Sequence, residues 1–441
     1  MIPSFERELA VFTSSITYGD LPGGIDETVT RAFIDTIGVT LAGLDSDSGV
    51  VLDSFLERNH RRRAIDLIDA PVSEAAFTLG MASHALDYDD LSWAIDGHPS
   101  VTLVPPILAL SSILEIDGRD AITAYSVGFE VESAVAEPIS PSHYEDGWHA
   151  TATFGTFGAT AAAASLLDLS VTETQTALNV AASMPAGTKR NFGSMTKPLH
   201  TGLTARAGVT AALFAEQGVT SGTEAISGDR GFWDLYDGSP GYRPRLLRND
   251  WYLERYGIHT KRYPCCYFTH STIAAVRDLR DEHGIAADDV EAIQISVAQG
   301  AADALTYDDP QTGLEAKFSM PHAVAVALTR ENVSLDAFNT EALADSTLRT
   351  LYDRVSFTTD DSLSYDSHAT FVKIKMREGN IVSARREHPP WVHEHPPERQ
   401  ALYDKFLECT TRTISEERAR KMLDRLTSLP ERRLTGIIDN L

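Results

Sequence analysis

Between two apolar runs, residues 84–100 read HALDYDDLSWAIDGHPS. A carboxylate held against one imidazole nitrogen fixes the tautomer and raises the basicity of the ring, leaving the other nitrogen free for proton transfer. Asp87 with His98 is the first candidate for that arrangement. His98-Pro99-Ser100 then enters an apolar helix, whose N-terminus favours anions. The plainer reading of His98 is a helix cap. Asp89 and Asp90 read as structural, bonding backbone N–H groups. His149, in GWHATATFG, stands before an Ala- and Gly-rich helix, either as a second proton-transfer group or as a cap.

Lysine occurs only eight times in the chain, so Lys197 (MTKPLHTG) and Lys261 (HTKRYPCCYFTH) stand out. The helix dipole disfavours an ammonium at a helix start, so Lys197 calls for a carboxylate partner or a route to solvent. Lys261 and Arg262 read as a clamp for a carboxylate substrate. The neighbouring Cys265, Cys266 and His270 invite a zinc reading, but structural zinc sites space their cysteines more widely and use four ligands, so no metal is expected. His322 sits at an apolar helix start, FSMPHAVAVAL. The histidines of HPPWVHEHPP (388–397) read as a solvated boundary loop. No P-loop, Rossmann fingerprint or Gly-x-Ser-x-Gly elbow occurs, and no cofactor is expected.

The elements that position these residues fall into two grammars. The first half is helical: 25–44, 103–115 after Pro105-Pro106, 120–137, 151–167, a helix opened by the Ser170/Glu173 capping pattern, and a helix from Lys197-Pro198 to Gly218. A loop or hinge is expected at 238–250. After about residue 258 the pattern changes. Residues 290–297 alternate like a strand, 371–376 and the following IVSARRE form a hairpin about Gly379-Asn380, and helices lie at 270–283 and 318–329. The chain then returns to helix. The expected fold is mainly α: a large all-helical domain (1–257 plus 396–441) with a smaller α+β domain (258–395) inserted before the C-terminal helices.

The 441 residues carry a formal net charge of -25 and a pI of about 4.9, which argues against nucleic-acid or anionic-lipid partners. Abundant carboxylates with few lysines suit a high-salt, halophilic cytoplasm. Three cysteines exclude a disulfide framework. No signal peptide or membrane-length apolar run is read, so a cytoplasmic location is expected.

Taken together, HALDYDD…GHPS, GWHATATFGTFGATAAAA, MTKPLHTGLTARAGVTAALFA, KRYPCCYFTHSTI and FSMPHAVAVAL resemble, in order, the signature segments of the MmgE/PrpD family. That family includes 2-methylcitrate dehydratases (propionate catabolism), cis-aconitate decarboxylases and iminodisuccinate epimerases. The resemblance implies a helical domain with an α+β lid, a homodimer, and an active site between the domains that needs no metal. It places Asp87, His98, His149, Lys197 and Lys261 on catalytic positions. Arg262, His322, Cys266, His270 and Ser92 are expected to contact substrate. His322 stands where the animal decarboxylases carry tyrosine, Cys266 where they carry histidine, and Leu91-Ser92 where they carry threonine. The shared chemistry is proton transfer at a carbon beside a carboxylate. The expected activity is a dehydratase-type lyase on a di- or tricarboxylic acid such as 2-methylcitrate. Decarboxylation of cis-aconitate is the second reading, epimerisation the third, and a noncatalytic carboxylate-binding relative the reading of another class.

Overall fold

The computed structural model describes residues 3–60, 70–236, 244 and 250–434. The expected hinge at 238–250 lies almost wholly outside them.

Four helices set the frame of the first half: Val72–His84, Ser100–Leu110, Ala150–Leu166 and Thr196–Glu216. They pack in a ring, each against the next. Small side chains make the ring tight, because they let backbones approach closely. A Cβ added at Gly208 would lie 2.4 Å from the Cβ of Ala159, and one at Gly158 would lie 2.2 Å from a carboxylate oxygen of Glu132. The segment between His84 and Ser100 runs across the end of this ring. Three of the four helices present their N-termini to it, and the Val72–His84 helix presents its C-terminus.

The Ser100–Leu110 helix corrects the sequence reading, which gave it as 103–115. It starts at Ser100, with Pro105 and Pro106 inside it. Its first turn is capped from outside, the Ser100 N–H donating to Asp90 Oδ1 (3.3 Å), and its other residues are buried on every side and, Thr102 aside, apolar. Packing of this kind outweighs the backbone bonds that the prolines remove.

One hydrophobic core gathers side chains from Phe5 to Ile258 and resumes at Leu402, ending at Leu434. The return is made by helices Arg399–Thr410 and Glu416–Leu426, the first of which packs along Ile25–Leu44. A second core runs from Tyr263 to Met376. It is built on a four-stranded sheet: β1 (Val290–Val297), β2 (Val355–Thr359), β3 (Thr370–Met376) and β4 (Ile381–Arg386), in the order β2-β1-β3-β4. β1 and β2 are parallel; the other pairs are antiparallel. Helices His270–His283 and Met320–Thr329 pack on the sheet. The hairpin turns at Gly379, whose φ of 95° suits glycine. β2 has no counterpart in the sequence reading: it is a short edge strand with little burial, so its hydrophobic alternation is weak. The molecule is thus mainly α, with a small sheet confined to its C-terminal half.

Candidate active site

A cavity lies where the 84–100 segment meets the second core. Its walls include Asp87, His98, His149, Lys197, Lys261 and Cys266, with Phe192, Phe318, Trp93, Tyr267 and His368 around them.

Asp87 is buried and adopts a left-handed φ of 50°, which turns its side chain toward two lysines. Oδ1 pairs with Lys197 Nζ, and Oδ2 lies 3.1 Å from Lys261 Nζ. Lys261 also donates to the Asp87 carbonyl (2.9 Å). The ammonium in the first turn of the Thr196–Glu216 helix thus has the carboxylate partner that its position demands. Lys197 also sits over the rings of Phe192 and Phe318, at 4.9 and 5.3 Å. Burial alone would push the Asp87 carboxyl up, but Lys197 and Lys261 hold it well below the usual carboxylate range. Burial works against the Lys261 ammonium, yet Asp87 and Asp89 outweigh it and raise its pKa.

His98 corrects the expected pairing: its carboxylate partner is Asp89, not Asp87. His98 Nδ1 lies 2.9 Å from Asp89 Oδ2 and 2.6 Å from the Asp90 carbonyl. A carbonyl only accepts, so Nδ1 carries the proton and Nε2 is the basic nitrogen. The reason for the swap is local. The left-handed turn at Asp87 commits its carboxylate to the lysines, and Asp89 is the carboxylate that remains within reach of the imidazole. The backbone N–H of His98 is fixed by Thr151 Oγ1 (3.0 Å), in the first turn of the Ala150–Leu166 helix. Burial lowers the His98 pKa; Asp89 opposes this, while Lys261 and Lys197 add to it. The side chain keeps 14% exposure, all other members of this hydrogen-bonded group being sealed.

His149 precedes the first residue of its helix, as expected, and lines the cavity. Its Nδ1 meets His200 Nδ1 at 3.1 Å, so one of the two nitrogens holds the proton, and its Nε2 is buried with no partner among the described residues. Burial first, then Lys197, hold its pKa well below the ordinary histidine value.

Asp90 bonds the N–H and hydroxyl of Ser100, whose hydroxyl also meets Tyr125 (2.7 Å). Burial, reinforced by Asp35, pushes its pKa up to about 8. It acts as the cap of the apolar helix.

Of the five expected substrate contacts, only Cys266 lines the cavity, its thiol pushed up to about 11 mainly by burial. The other four are corrected. Arg262 points outward, over Tyr263 and Trp391, because successive residues of an irregular extended segment face opposite sides and Lys261 takes the inner one. Ser92 closes a turn, its N–H bonding the Gly97 carbonyl (2.8 Å) and its hydroxyl accepting from Ala94 N. His270 is sealed beside Cys265, with Nε2 at 3.3 Å from that carbonyl. His322 lies inside the second core, with Nδ1 at 2.6 Å from Tyr352 OH and Nε2 at 2.7 Å from the Ala337 carbonyl. Both its nitrogens are occupied, so it rivets a helix rather than facing the cavity.

Sequence reasoning passed over His84, although it opens the quoted stretch. It is fully buried and its Nδ1 lies 2.8 Å from Asp89 Oδ2, the same oxygen that His98 uses. Trp93, Tyr267 and His368 were missed as well, the two aromatics reading as core and His368 as part of a polar loop, LSYDSHAT. His84, Asp89 and His98 bring three potential ligand atoms within 4.8 Å of one another. Both imidazoles already meet one carboxylate oxygen at hydrogen-bond distance, and Lys197 and Lys261 stand close by, so the donor set suits a shared proton network better than a cation.

Family models match this chain along most of its length. The MmgE/PrpD N-terminal domain covers residues 7–245 and the MmgE/PrpD C-terminal domain covers 263–429. The chain is similar to cis-aconitate decarboxylase of Homo sapiens, 23% identical over 98% of this chain and 93% of that protein. It is 25% identical to cis-aconitate decarboxylase of Mus musculus, over 92% of this chain and 86% of that protein. Cis-aconitate decarboxylase of Aspergillus terreus is 23% identical over 96% of this chain and 94% of its own length.

Proposed function

This chain belongs to the MmgE/PrpD family and is an enzyme of the lyase class, and from that premise we propose that it decarboxylates cis-aconitate or a closely similar unsaturated tricarboxylate. The order of preference read from the sequence, dehydratase before decarboxylase, is thereby reversed. What supports the reversal is the full-length similarity to proteins named cis-aconitate decarboxylase. What supports a lyase of this type in physical terms is one juxtaposition: the free nitrogen of an oriented imidazole, His98, in the same buried cavity as two lysines.

Decarboxylation breaks a carbon–carboxylate bond. The carboxylate leaves as carbon dioxide, its electron pair stays in the carbon framework, and one proton must be delivered to carbon. Lys197 and Lys261 share the single carboxylate of Asp87, which leaves positive charge over for an anionic substrate. A tricarboxylate brings several negative charges into a low-dielectric space, where they stabilise the protonated form of each nearby imidazole. His98 then carries a proton on Nε2 and serves as the donor, with His149 on the neighbouring wall. The two lysines hold the substrate carboxylates and the charge that develops as the bond breaks. Roles for Arg262, Ser92, His270 and His322 are not part of this proposal. Function in the cytoplasm and as a homodimer completes it. Among the described residues no helix is long and apolar enough to cross a membrane.

The test is a proton-NMR time course with cis-aconitate, citrate and 2-methylcitrate offered separately. Loss of carbon dioxide from cis-aconitate with a new terminal-alkene signal is the expected result. New vinylic signals from citrate or 2-methylcitrate, with cis-aconitate untouched, would overturn the decarboxylase in favour of a dehydratase.

A further inference from the structure

The Val72–His84 helix ends on a histidine that the proposed chemistry does not use. Its ring is sandwiched between the two imidazoles that do face the cavity: 4.7 Å from the His98 ring, edge-on, and 5.6 Å from the His149 ring, stacked. It has no exposure, its Nε2 meets no partner among the described residues, and its Nδ1 shares Asp89 Oδ2 with His98. We infer that His84 is a positioning residue, which draws Asp89 away from His98 through their shared carboxylate oxygen and so sets how readily His98 takes and gives its proton. The inference rests on His98 being the proton-transfer group of the proposed reaction.

The physical argument is a division of one charge. An ionised carboxylate accepts only, so the nitrogen of His84 that meets it carries a proton. Each hydrogen bond to that oxygen stabilises its charge and leaves less of it for the other donor. Burial, the largest influence on His84, holds its pKa down at about 3 against the pull of Asp89, so it takes part as a neutral donor. The cations that bear on His98 from other elements are Lys197, on the Thr196–Glu216 helix, and Lys261, and the imidazoles of His84 and His149 also face it. Both lysines disfavour its protonation; the Cys266 thiol, pushed up to about 11 mainly by burial, is uncharged at neutral pH and adds nothing. Asp89, in direct contact, is the main group that favours His98 protonation, with Asp87 acting in the same sense. Removing His84 therefore hands the whole carboxylate to His98, whose protonation pH rises. Replacing Asp89 with an amide lowers it.

The experiment is a histidine-selective NMR titration, with the His98 signal assigned by its loss in His98→Gln. The proteins are the wild type, His84→Leu, Asp89→Asn and the double variant, together with kcat and KM for cis-aconitate. In His84→Leu the His98 midpoint moves up by about one pH unit, roughly a tenfold change in proton affinity. In Asp89→Asn it moves down, and adding His84→Leu to that background shifts it no further. His84→Gln, which keeps an N–H for Asp89, restores the wild-type midpoint, and His84→Phe, which also removes the donor, takes the place of the leucine variant should that fail to fold. On cis-aconitate, His84→Leu changes kcat with KM nearly constant. An unmoved His98 midpoint in folded His84→Leu would overturn the inference, as would a shift in His84→Gln as large as in His84→Leu, or one that persists undiminished without Asp89. A wild type inert toward cis-aconitate would count against the proposed reaction, while the titration would still decide the role of His84.

Discussion

Two buried carboxylates in this molecule, Asp87 and Asp35, each face lysine, and they are put to opposite uses. Asp35 pairs with Lys405 at 2.6 Å. The Lys405 ammonium also donates to the Tyr88 and Lys261 carbonyls, at 2.8 and 2.9 Å, and lies 4.0 Å from the centre of the Tyr88 ring. Its three protons are all spent inside the protein. Asp87 faces two ammonium groups, and both line a cavity. Lys197 has Asp87 as its hydrogen-bond acceptor and otherwise faces aromatic rings. A buried ion pair with every donor spent is a fastener. One with more cation than carboxylate, open on a cavity, is suited to receive an anion, as the proposed function requires. The chemical types are the same; the accounting of donors tells them apart.

The largest expected effect breaks the fastener. Asp35→Asn leaves the Lys405 charge buried without its carboxylate and costs about 3–5 kcal/mol of stability. Thermal unfolding checks this, and adding tricarballylate does not restore the loss, because Asp35 does not line the cavity. In Asp87→Asn the same ligand raises the melting temperature more than in the wild type, its carboxylate taking the place of the missing one. Equal ligand shifts in the two variants would erase the distinction between fastener and receptor.

Within the receptor, His98→Ala lowers kcat by about 10²-fold or more with the fold intact, measured by turnover and circular dichroism. Lys261→Ala raises KM by roughly tenfold, the loss of one charge-assisted hydrogen bond. A KM equal to that of the wild type would remove Lys261 from substrate binding. The smallest effect is a pH slope. Burial holds His84 at about 3 and His322 at about 4, below the unfolded value near 6.5. A depressed histidine stabilises the fold fully above 6.5, and that stability is lost as pH falls from there through the folded value. Each therefore makes the melting temperature fall on acidification from pH 6.5 toward 4. His322→Leu, if folded, flattens the slope, and an unaltered slope would deny His322 its neutral buried state.

The sequence was most readable where one periodicity governed a whole element. The helices 25–44 and 270–283 and the hairpin about Gly379 need only spacing and a turn glycine, and the structure has each of them. The mainly helical class followed from the same signals. At the cavity, composition and resemblance picked out Asp87, His98, His149, Lys197, Lys261 and Cys266, which the fold brings together on its walls. Pairings were not legible. Which of three acids meets His98 depends on the left-handed backbone at Asp87, and spacing carries no trace of it. His322 and His270 resembled site residues because a polar group among apolar ones looks the same whether it faces a cavity or bonds a core carbonyl. His84 had a faint signal, a histidine closing a small-residue helix five residues before an aspartate, but only the fold shows that the two touch.

Lys405 lies near the end of the chain, on the Arg399–Thr410 helix, yet its protons hold the backbone at Tyr88 and at Lys261. Those two carbonyls belong to the segments that carry Asp87 and Lys261. As the chain leaves the ribosome, the site segment is made early and waits through more than three hundred residues for the ammonium that ties it down. A chain stopped before residue 405 would lack the ammonium that ties the Tyr88 and Lys261 carbonyls together beneath the cavity.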